Sequence, residues 1–556
     1  MSNNSPSAGE APVVEVQDLR VTFERKHDRL EAVRGLNLHV YSGEAVGIVG
    51  ESGSGKSVSV RTLLGLAGAN ATVTAKKLDI FGTDARRLSE RGWRAIRGGK
   101  IGLVLQDALV SLDPLRTIEQ EIGETLKLHD IVPRNQIHDR VIELLTEVGM
   151  PDPELRAKQH PHELSGGLRQ RALIASAIAS EPALLIADEP TTALDTTVQA
   201  QVLELLDARR RAGTALLLVS HDLAVVANVC DRVVVMKDGY LVEEGPSQQV
   251  LRHPTQEYTR NLLAAIPSAE SRGLTLSSAD RHPLPPRRVE RDSIVLRADG
   301  VSRNFKAPDG RVCHAVRDVS LEVARGESLG IVGESGSGKS TFAKILVGLL
   351  EPSGGQVQLE GQPWSPLSDK ERRDRRRKIQ LIAQDPLSSF DPRYSVEQVL
   401  AEPLQSQGLT RDDIAARIRQ TLELVNLTHV PVAASPRTFS GGERQRLAIA
   451  RALIAEPDVL VADEPVSALD VSVQAQILDL LADVQARTGA ALVFISHDLG
   501  VVHHLADRVL VMKDGFDVEH GAATTVFTNP TDDYTKELLA ALPKLPIPDN
   551  QDQSKP

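Results

Sequence analysis

The sequence predicts an α/β fold, built twice. Apolar, β-rich runs such as "ALLIAD", "ALLLVS" and "RVVVM" alternate with helical patterns such as "RQRALIASAIAS" and "TVQAQVLELLDARRR". Short continuous apolar strands interleaved with helices call for a mostly parallel sheet covered on both faces. The length of 556 residues exceeds what one hydrophobic core holds, since single cores stop growing near roughly 250–300 residues. Finally, "GIVGESGSGKS" stands at 47–57 and again, letter for letter, at 330–340.

Other landmarks recur in the same order. "SGGLRQR" (165–171) matches "SGGERQR" (440–446), "ADEP" (187–190) matches "ADEP" (462–465), and "SHDL" (220–223) matches "SHDL" (496–499). The ends match as well, "PTQEYTRNLLAAIP" at 254–267 against "PTDDYTKELLAALP" at 530–543. A repeat of about 280 residues is far too long for a solenoid unit and signals duplication of a whole domain. The expected domains are 12–267 and 293–543, joined by a Ser-, Arg- and Pro-rich surface linker over 268–292 and followed by a flexible tail, 544–556.

Composition narrows the function. A net charge of −11 argues against a protein whose main work is coating nucleic acid. No apolar run approaches the ~20 residues of a membrane-spanning helix, and the start "MSNNSPSAGE" has no signal-peptide pattern. The expected compartment is the cytosol. Cys230 and Cys313 lie in different halves without metal-ligand spacing, which argues against a disulfide framework, zinc or an iron–sulfur cluster. The basic run "ERRDRRRK" (371–378) reads as a solvated surface segment.

Gly50–Ser57 and Gly333–Ser340 fit G-x-x-x-x-G-K-[ST], each after an apolar strand and before a helical stretch. Gly50, Ser52, Gly53, Ser54, Gly55 and Val58, with Gly333, Ser335, Gly336, Ser337, Gly338 and Thr341, would wrap backbone N–H groups around phosphates. Lys56 and Lys339 would reach the β- and γ-phosphates, and Ser57 and Ser340 would ligate Mg²⁺. "LLIADEP" and "VLVADEP" place Asp188 and Asp463 to hold the Mg²⁺ shell, leaving Glu189 and Glu464 as general bases toward water. The Ser-His-Asp letters around His221 and His497 do not make a hydrolase triad, because a triad is recognised by geometry.

With "LSGGLRQ" and "FSGGERQ" upstream of each Asp-Glu pair at equal spacing, the chain resembles the ATP-binding cassette (ABC) ATPases over nearly its whole length. The resemblance implies two tandem P-loop cassettes, each with a mostly parallel core plus antiparallel β and helical subdomains. In that family two cassettes close head to tail around ATP. Lys56 would then face Ser440, Gly441 and Gly442, and Lys339 would face Ser165, Gly166 and Gly167. The resemblance also implies Gln106 and Gln384 as Mg²⁺-sensing glutamines that face a membrane partner. Asp195 and Asp470 match the loop toward the opposite cassette, His221 and His497 the γ-phosphate switch, and Phe23 and Phe305 the adenine-stacking aromatic. Leu168 and Val58 depart from the pattern only in side chains that carry no base or phosphate chemistry, so two competent sites are expected.

Within the family, "QD-x-L-x-S-x-DP" and the terminal "P-T-x-x-Y-T-x-x-L-L" resemble the dipeptide, oligopeptide and nickel importers. That implies ATP and Mg²⁺, two integral-membrane permease subunits, an extracytoplasmic solute-binding protein, and a place on the cytoplasmic face of the inner membrane. With peptide uptake as the expected function, importers of nickel or glutathione are alternatives, as are fused sugar-importer ATPases and soluble ribosome-acting tandem cassettes. The sugar importers typically degrade their second site, which is intact here, and the ribosome-acting cassettes carry a long charged helical linker. Tyr258 and Tyr534 are expected to pack a terminal helix.

Overall fold

Strands of five residues, buried along their whole length, form the centre of each copy. They are Ala45–Val49, Leu184–Asp188 and Ala215–Val219 in the first, and Ser328–Val332, Val459–Asp463 and Ala491–Ile495 in the second. Being apolar on both faces, they can sit only inside a sheet covered on both sides. The computed structural model describes residues 11–24, 28–105, 111–191, 196–306, 312–467 and 469–542.

Two units emerge, one spanning Met1–Leu263 with Leu542–Pro556, the other Ala264–Ala541. In the first, a six-stranded sheet runs, in spatial order, Tyr240–Pro246, Arg232–Lys237, Ala45–Val49, Ala215–Val219, Leu184–Asp188, Ile101–Val104. All neighbours are parallel except the first pair. The second unit repeats this order with Phe516–Ala522, Arg508–Lys513, Ser328–Val332, Ala491–Ile495, Val459–Asp463 and Ile379–Ile382. Each unit also has an antiparallel sheet, led by Val14–Glu24 with Arg29–Val40 and by Glu290–Lys306 with Val312–Arg325. One apolar cluster per unit joins its two sheets and contains Ile48, Ile186 and Met236, or Ile331, Val461 and Met512. The phosphate-loop strand lies between two parallel neighbours, so its carboxyl end opens a crevice at the sheet's edge, where ligands bind in such folds.

The stretch expected as a surface linker is laid onto the second unit and bonded to it. Arg287 Nη1 and Nη2 each donate to Asp507 at 2.6 Å, and the backbone N–H groups of Leu276 and Ser277 donate to Asp479 at 2.9 Å. Leu276 is fully buried. The polar groups that read as a surface linker meet carboxylates and backbone here as well as water. Residues 544–556 lie outside the described residues.

A further contact of this stretch, Ser271 with His504, makes stability depend on pH. His504 is 3% exposed, with Nδ1 2.9 Å from Ser271 Oγ and Nε2 without a hydrogen-bond partner among the described residues. Burial pushes its pKa down to about 4, against the opposing pull of Asp479 and Ser271 and with help from Arg281 and Arg272. Neutral His504 therefore favours the folded state fully above its ordinary 6.5, and that contribution drains away as pH falls from 6.5 toward 4. Between about pH 7 and about pH 5 the wild-type urea midpoint is expected to fall more than that of His504→Gln. Equal falls would assign the slope to other groups.

Candidate active sites

In each unit the first buried strand runs into the glycine-rich loop, and the loop into a helix, Lys56–Thr62 or Lys339–Leu346. Gly50 and Gly333 have φ of 148° and 146°, and Gly55 and Gly338, the helix N-caps, 96° and 100°. L-residues avoid these values. A Cβ on Gly50 would lie 2.1 Å from the Met236 carbonyl oxygen, and one on Gly333 2.1 Å from that of Met512, so glycine lets the loop pass flush against the next strand. Lys56, 7% exposed, donates from Nζ to Gly50 O at 2.7 Å and Glu51 O at 2.8 Å. Lys339 does the same to Gly333 O and Glu334 O, both at 2.7 Å, with Ser337 Oγ at 3.4 Å. Ser54 and Ser337 are buried beneath the loop, while Ser52, Gly53, Ser335 and Gly336 are exposed on its crest. Val58 packs against the core cluster, and Thr341 is half-buried in the first turn of its helix.

The loop serines meet the strand-end aspartates. Ser57 Oγ donates to Asp188 Oδ1 at 3.0 Å and Ser340 Oγ to Asp463 Oδ1 at 2.9 Å. Asp188 is 1% exposed, and its Oδ2 has no hydrogen-bond partner among the described residues. Burial, then the adjacent glutamate, pushes both aspartate carboxyls up, against the pull of the serines and lysines. A buried carboxylate with an orphaned oxygen beside a hydroxyl fits a hard divalent cation such as Mg²⁺. Among the described residues no three His, Cys, Asp or Glu side chains converge on a metal position. The residual ligands of such an ion would come from phosphate and water, as is usual for Mg²⁺.

Glu189 and Glu464 turn aside from their strands with φ of 51° and 47°. Each is locked by its own N–H, which donates to Val219 O at 2.9 Å or Ile495 O at 3.0 Å. That turn aims the carboxylates at histidine. His221 Nδ1 lies 3.3 Å from Glu189 Oε2, and His497 Nδ1 3.4 Å from Glu464 Oε1. The Glu464 hydrogen bond raises His497 above its ordinary value, outweighing burial. For His221 burial is the larger influence and opposes, yet Glu189 still carries it upward. Burial presses Glu464 upward, but His497 and Lys339 hold it below the usual carboxylate value. Gln384 Nε2 donates to Glu464 Oε2 at 2.8 Å, which joins the glutamine to the base. Its counterpart Gln106, and Asp195, lie outside the described residues.

The Ser-His-Asp letters form no triad. Ser220 Oγ accepts from the Asp222 N–H at 2.9 Å, and Asp222 Oδ1 accepts from the N–H groups of Ala224 and Val225 to cap the next helix. Asp470 caps Val471–Thr488 through the Val473 N–H.

Ser165 and Ser440 cap the helices Gly166–Ile178 and Gly441–Leu453. The two caps differ. The Ser440 N–H donates to Glu443 Oε2 at 2.8 Å and the Glu443 N–H to Ser440 Oγ at 3.3 Å, completing a capping box, whereas Leu168 stands at the matching place in the first copy and offers no such acceptor. Gly166 and Gly441 are exposed beside their serines, while Gly167 and Gly442 are half-buried. The two phenylalanines also part company. Phe305 is 37% exposed with the Arg303 guanidinium 4.9 Å from its ring centre, while Phe23 packs partly buried against the core. Sequence reading missed Gln170, buried in the helix after Ser165, whose Nε2 donates to Pro190 O at 2.9 Å and ties that helix to the Asp-Glu turn.

Comparison with known proteins gives the same constellation a wider setting. The model of a family described as "ABC transporter" matches residues 33–192 and 316–467, and one described as "Oligopeptide/dipeptide transporter, C-terminal region" matches 242–289. The peptidoglycan transport ATP-binding protein YejF of Agrobacterium fabrum is 43% identical over 540 residues, covering 95% of this chain and 96% of its own. The glutathione import ATP-binding protein GsiA of Escherichia coli is 40% identical over 560 residues, covering 96% and 89%. The oligopeptide transport ATP-binding protein OppD of Mycobacterium tuberculosis is 39% identical over 605 residues, covering 96% and 99%.

Proposed function

The chain belongs to the ABC transporter family, and from that premise we propose that its two cassettes power uptake of peptides through separate permease subunits. It is a transport ATPase. The observation that carries the hydrolytic half is the repeated geometry of serine on aspartate and histidine on glutamate, present in both copies. In this reading Lys56 and Lys339 turn their ammonium groups from backbone carbonyls to the β- and γ-phosphates of ATP. Glu189 and Glu464 accept a proton from the attacking water, Glu464 with its carboxyl held below the usual value by His497 and Lys339. His221 and His497 sense the γ-phosphate from the other side of the base. Ser57, Asp188 and Gln106, with Ser340, Asp463 and Gln384, would hold Mg²⁺, which when bound neutralises charge on the β- and γ-oxygens. The signature serines, Ser165 and Ser440, act in this proposal on the nucleotide held by the other copy's loop.

The transport half rests on the relatives' names and on the matched oligopeptide/dipeptide region. Glutathione is itself a short peptide, so peptide is the cargo class that those names share most directly. A further feature supports a permease partner. Downstream of Gln384, an open groove of about 190 Å³ is lined by Leu387, Phe390, Asp391, Pro392, Pro436 and Arg437, on the glutamine-loop side of the signature helix. Such a groove would receive one or two side chains of a permease segment. No helix among the described residues is long and apolar enough to cross a membrane. In this reading the chain sits on the cytoplasmic face of the inner membrane, and a solute-binding protein delivers cargo from outside.

Affinity purification of the full chain from gently solubilised native membranes tests the proposal. Two polytopic permeases are expected in the mass spectrum, and labelled di- or oligopeptide uptake should then depend on this chain. Ribosomal proteins without a membrane partner would overturn it, and transport of a non-peptide solute alone would overturn the cargo.

A further inference from the structure

In both copies the terminal motif P-T-x-x-Y-T reaches back to the phosphate loop. The N–H of Glu51 donates to the Tyr258 hydroxyl at 3.2 Å, and the N–H of Glu334 donates to the Tyr534 hydroxyl at 3.0 Å. That N–H belongs to the same peptide unit whose carbonyl, Gly50 O or Gly333 O, accepts from the loop lysine at 2.7 Å. One peptide plane is thus gripped at both ends, by the lysine ammonium and by a tyrosine some two hundred residues away in sequence.

The tyrosine is itself held in place. Glu243 Oε1 accepts from Thr255 N at 2.8 Å and Thr255 Oγ1 at 2.7 Å, and Oε2 accepts from Gln256 N at 3.3 Å. Glu519 repeats this with Thr531 N and Oγ1, both at 2.8 Å, and Asp532 N at 3.2 Å. Both carboxylates are 8% exposed, and they anchor the start of the helices Glu257–Ala264 and Asp533–Ala540 that carry the tyrosines. From the other side, Lys237 Nζ lies 4.8 Å from the Tyr258 ring centre and Lys513 Nζ 4.4 Å from that of Tyr534. Those lysines directly follow Met236 and Met512, whose carbonyls wall in Gly50 and Gly333. Packing alone would leave the hydroxyls anywhere; here both land on the same loop N–H.

We propose that Tyr258 and Tyr534 are positioning residues of the two ATP sites, each hydroxyl fixing the Gly-Glu peptide that seats the phosphate-loop lysine. The terminal motif then has a use at the nucleotide site besides closing the core. Without the hydroxyl, the Gly50–Glu51 and Gly333–Glu334 peptides can rotate, and Lys56 and Lys339 lose a fixed seat from which to meet phosphate.

The inference rests on the ATPase reading, and one titration separates the two. Full-length wild type, Tyr258→Phe/Tyr534→Phe and Thr255→Val/Thr531→Val are titrated with N-methylanthraniloyl-ATP and assayed for MgATP hydrolysis. The phenylalanine variant should bind about three- to tenfold more weakly, as the loss of one hydrogen bond per site implies, and raise KM by the same factor. Its kcat should stay within about twofold, since the lost interaction acts on bound substrate and transition state alike. The valine variant loosens the helix anchor but keeps the tyrosine hydroxyl, so its thermal midpoint should fall with KM nearly unchanged. Unchanged affinity in the phenylalanine variant, or equal KM increases in both variants, would overturn the positioning role. A wild type that binds no ATP would overturn the ATPase reading and the inference with it.

Discussion

Glu464→Gln is expected to cut ATP hydrolysis at the second site by about 10²- to 10⁴-fold, the usual cost of removing a general base. Glutamine is the sharpest probe because it fills the same volume and can still meet His497, which lies 3.4 Å from the carboxylate, and Gln384 at 2.8 Å. The shape is kept, while proton acceptance and the negative charge that faces His497 are lost. The environment keeps Glu464 ionised, since the partnership with His497 overcomes the burial that would protonate it. Glu189, beside His221 at 3.3 Å, should respond alike. Phosphate release from MgATP by the whole chain should therefore fall by at least half in either single variant, and by the full factor in Glu189→Gln/Glu464→Gln. If one single variant keeps wild-type turnover, the copy it alters is a silent site, and the equivalence drawn from the matched geometry fails. ATP binding should survive in every case, because the lysines and loop N–H groups are untouched.

What could be read without coordinates was what lies close together in sequence. Loop, lysine and serine occur within eight residues, and the strand before them is almost wholly apolar, so local pattern sufficed for the phosphate loop and the α/β class. The pairing of Glu464 with His497 was legible only as two separate motifs. Their meeting depends on a left-handed turn at Glu464, held by a bond to the neighbouring strand, and pairing between distant strands leaves no local trace. Tyr258 and Tyr534 were read as packing residues for the same reason: a tyrosine on an amphipathic helix looks identical whether its hydroxyl faces water or a loop N–H. The stretch after Pro267 shows another limit of local pattern. Serine, arginine and proline read as a surface linker, and they leave unsaid that Arg287 and Ser271 find partners at Asp507 and His504. Composition reports polarity and cannot report whether the polarity is matched. The sequence treated Phe23 and Phe305 as equals, but Phe305 is an exposed ring under an arginine and Phe23 is partly core, a difference set by the surrounding sheet.

Gly338→Ala should destabilise the second cassette by about 3 kcal/mol or more, and Gly336→Ala, two residues away, by only about 1–2 kcal/mol. Both glycines have positive φ, 100° and 86°, so both substitutions carry the strain of an L-residue in a left-handed conformation. Only one also collides. A Cβ at 338 would lie 2.1 Å from the Ala315 carbonyl oxygen, while at 336 nothing among the described residues stands within 4 Å. Ala315 sits in the long strand Val312–Arg325, bonded along its length to Glu290–Lys306, so the carbonyl cannot withdraw without shifting the sheet. The loop must move instead. Gly338 is the N-cap of the helix that begins with Lys339, and displacing it displaces the lysine and Ser340 together. Gly338→Ala should accordingly lose ATP binding at this site along with stability, whereas Gly336→Ala should show only the smaller shift in urea midpoint. The first cassette offers an internal check, since Gly55 has φ of 96° and a Cβ there would lie 2.4 Å from Ala32 O, so Gly55→Ala should be costly in the same way. Equal costs at 336 and 338 would mean that backbone conformation alone dictates glycine in this loop. A much larger cost at 338 would show that the close approach of the loop to the antiparallel sheet is what requires it.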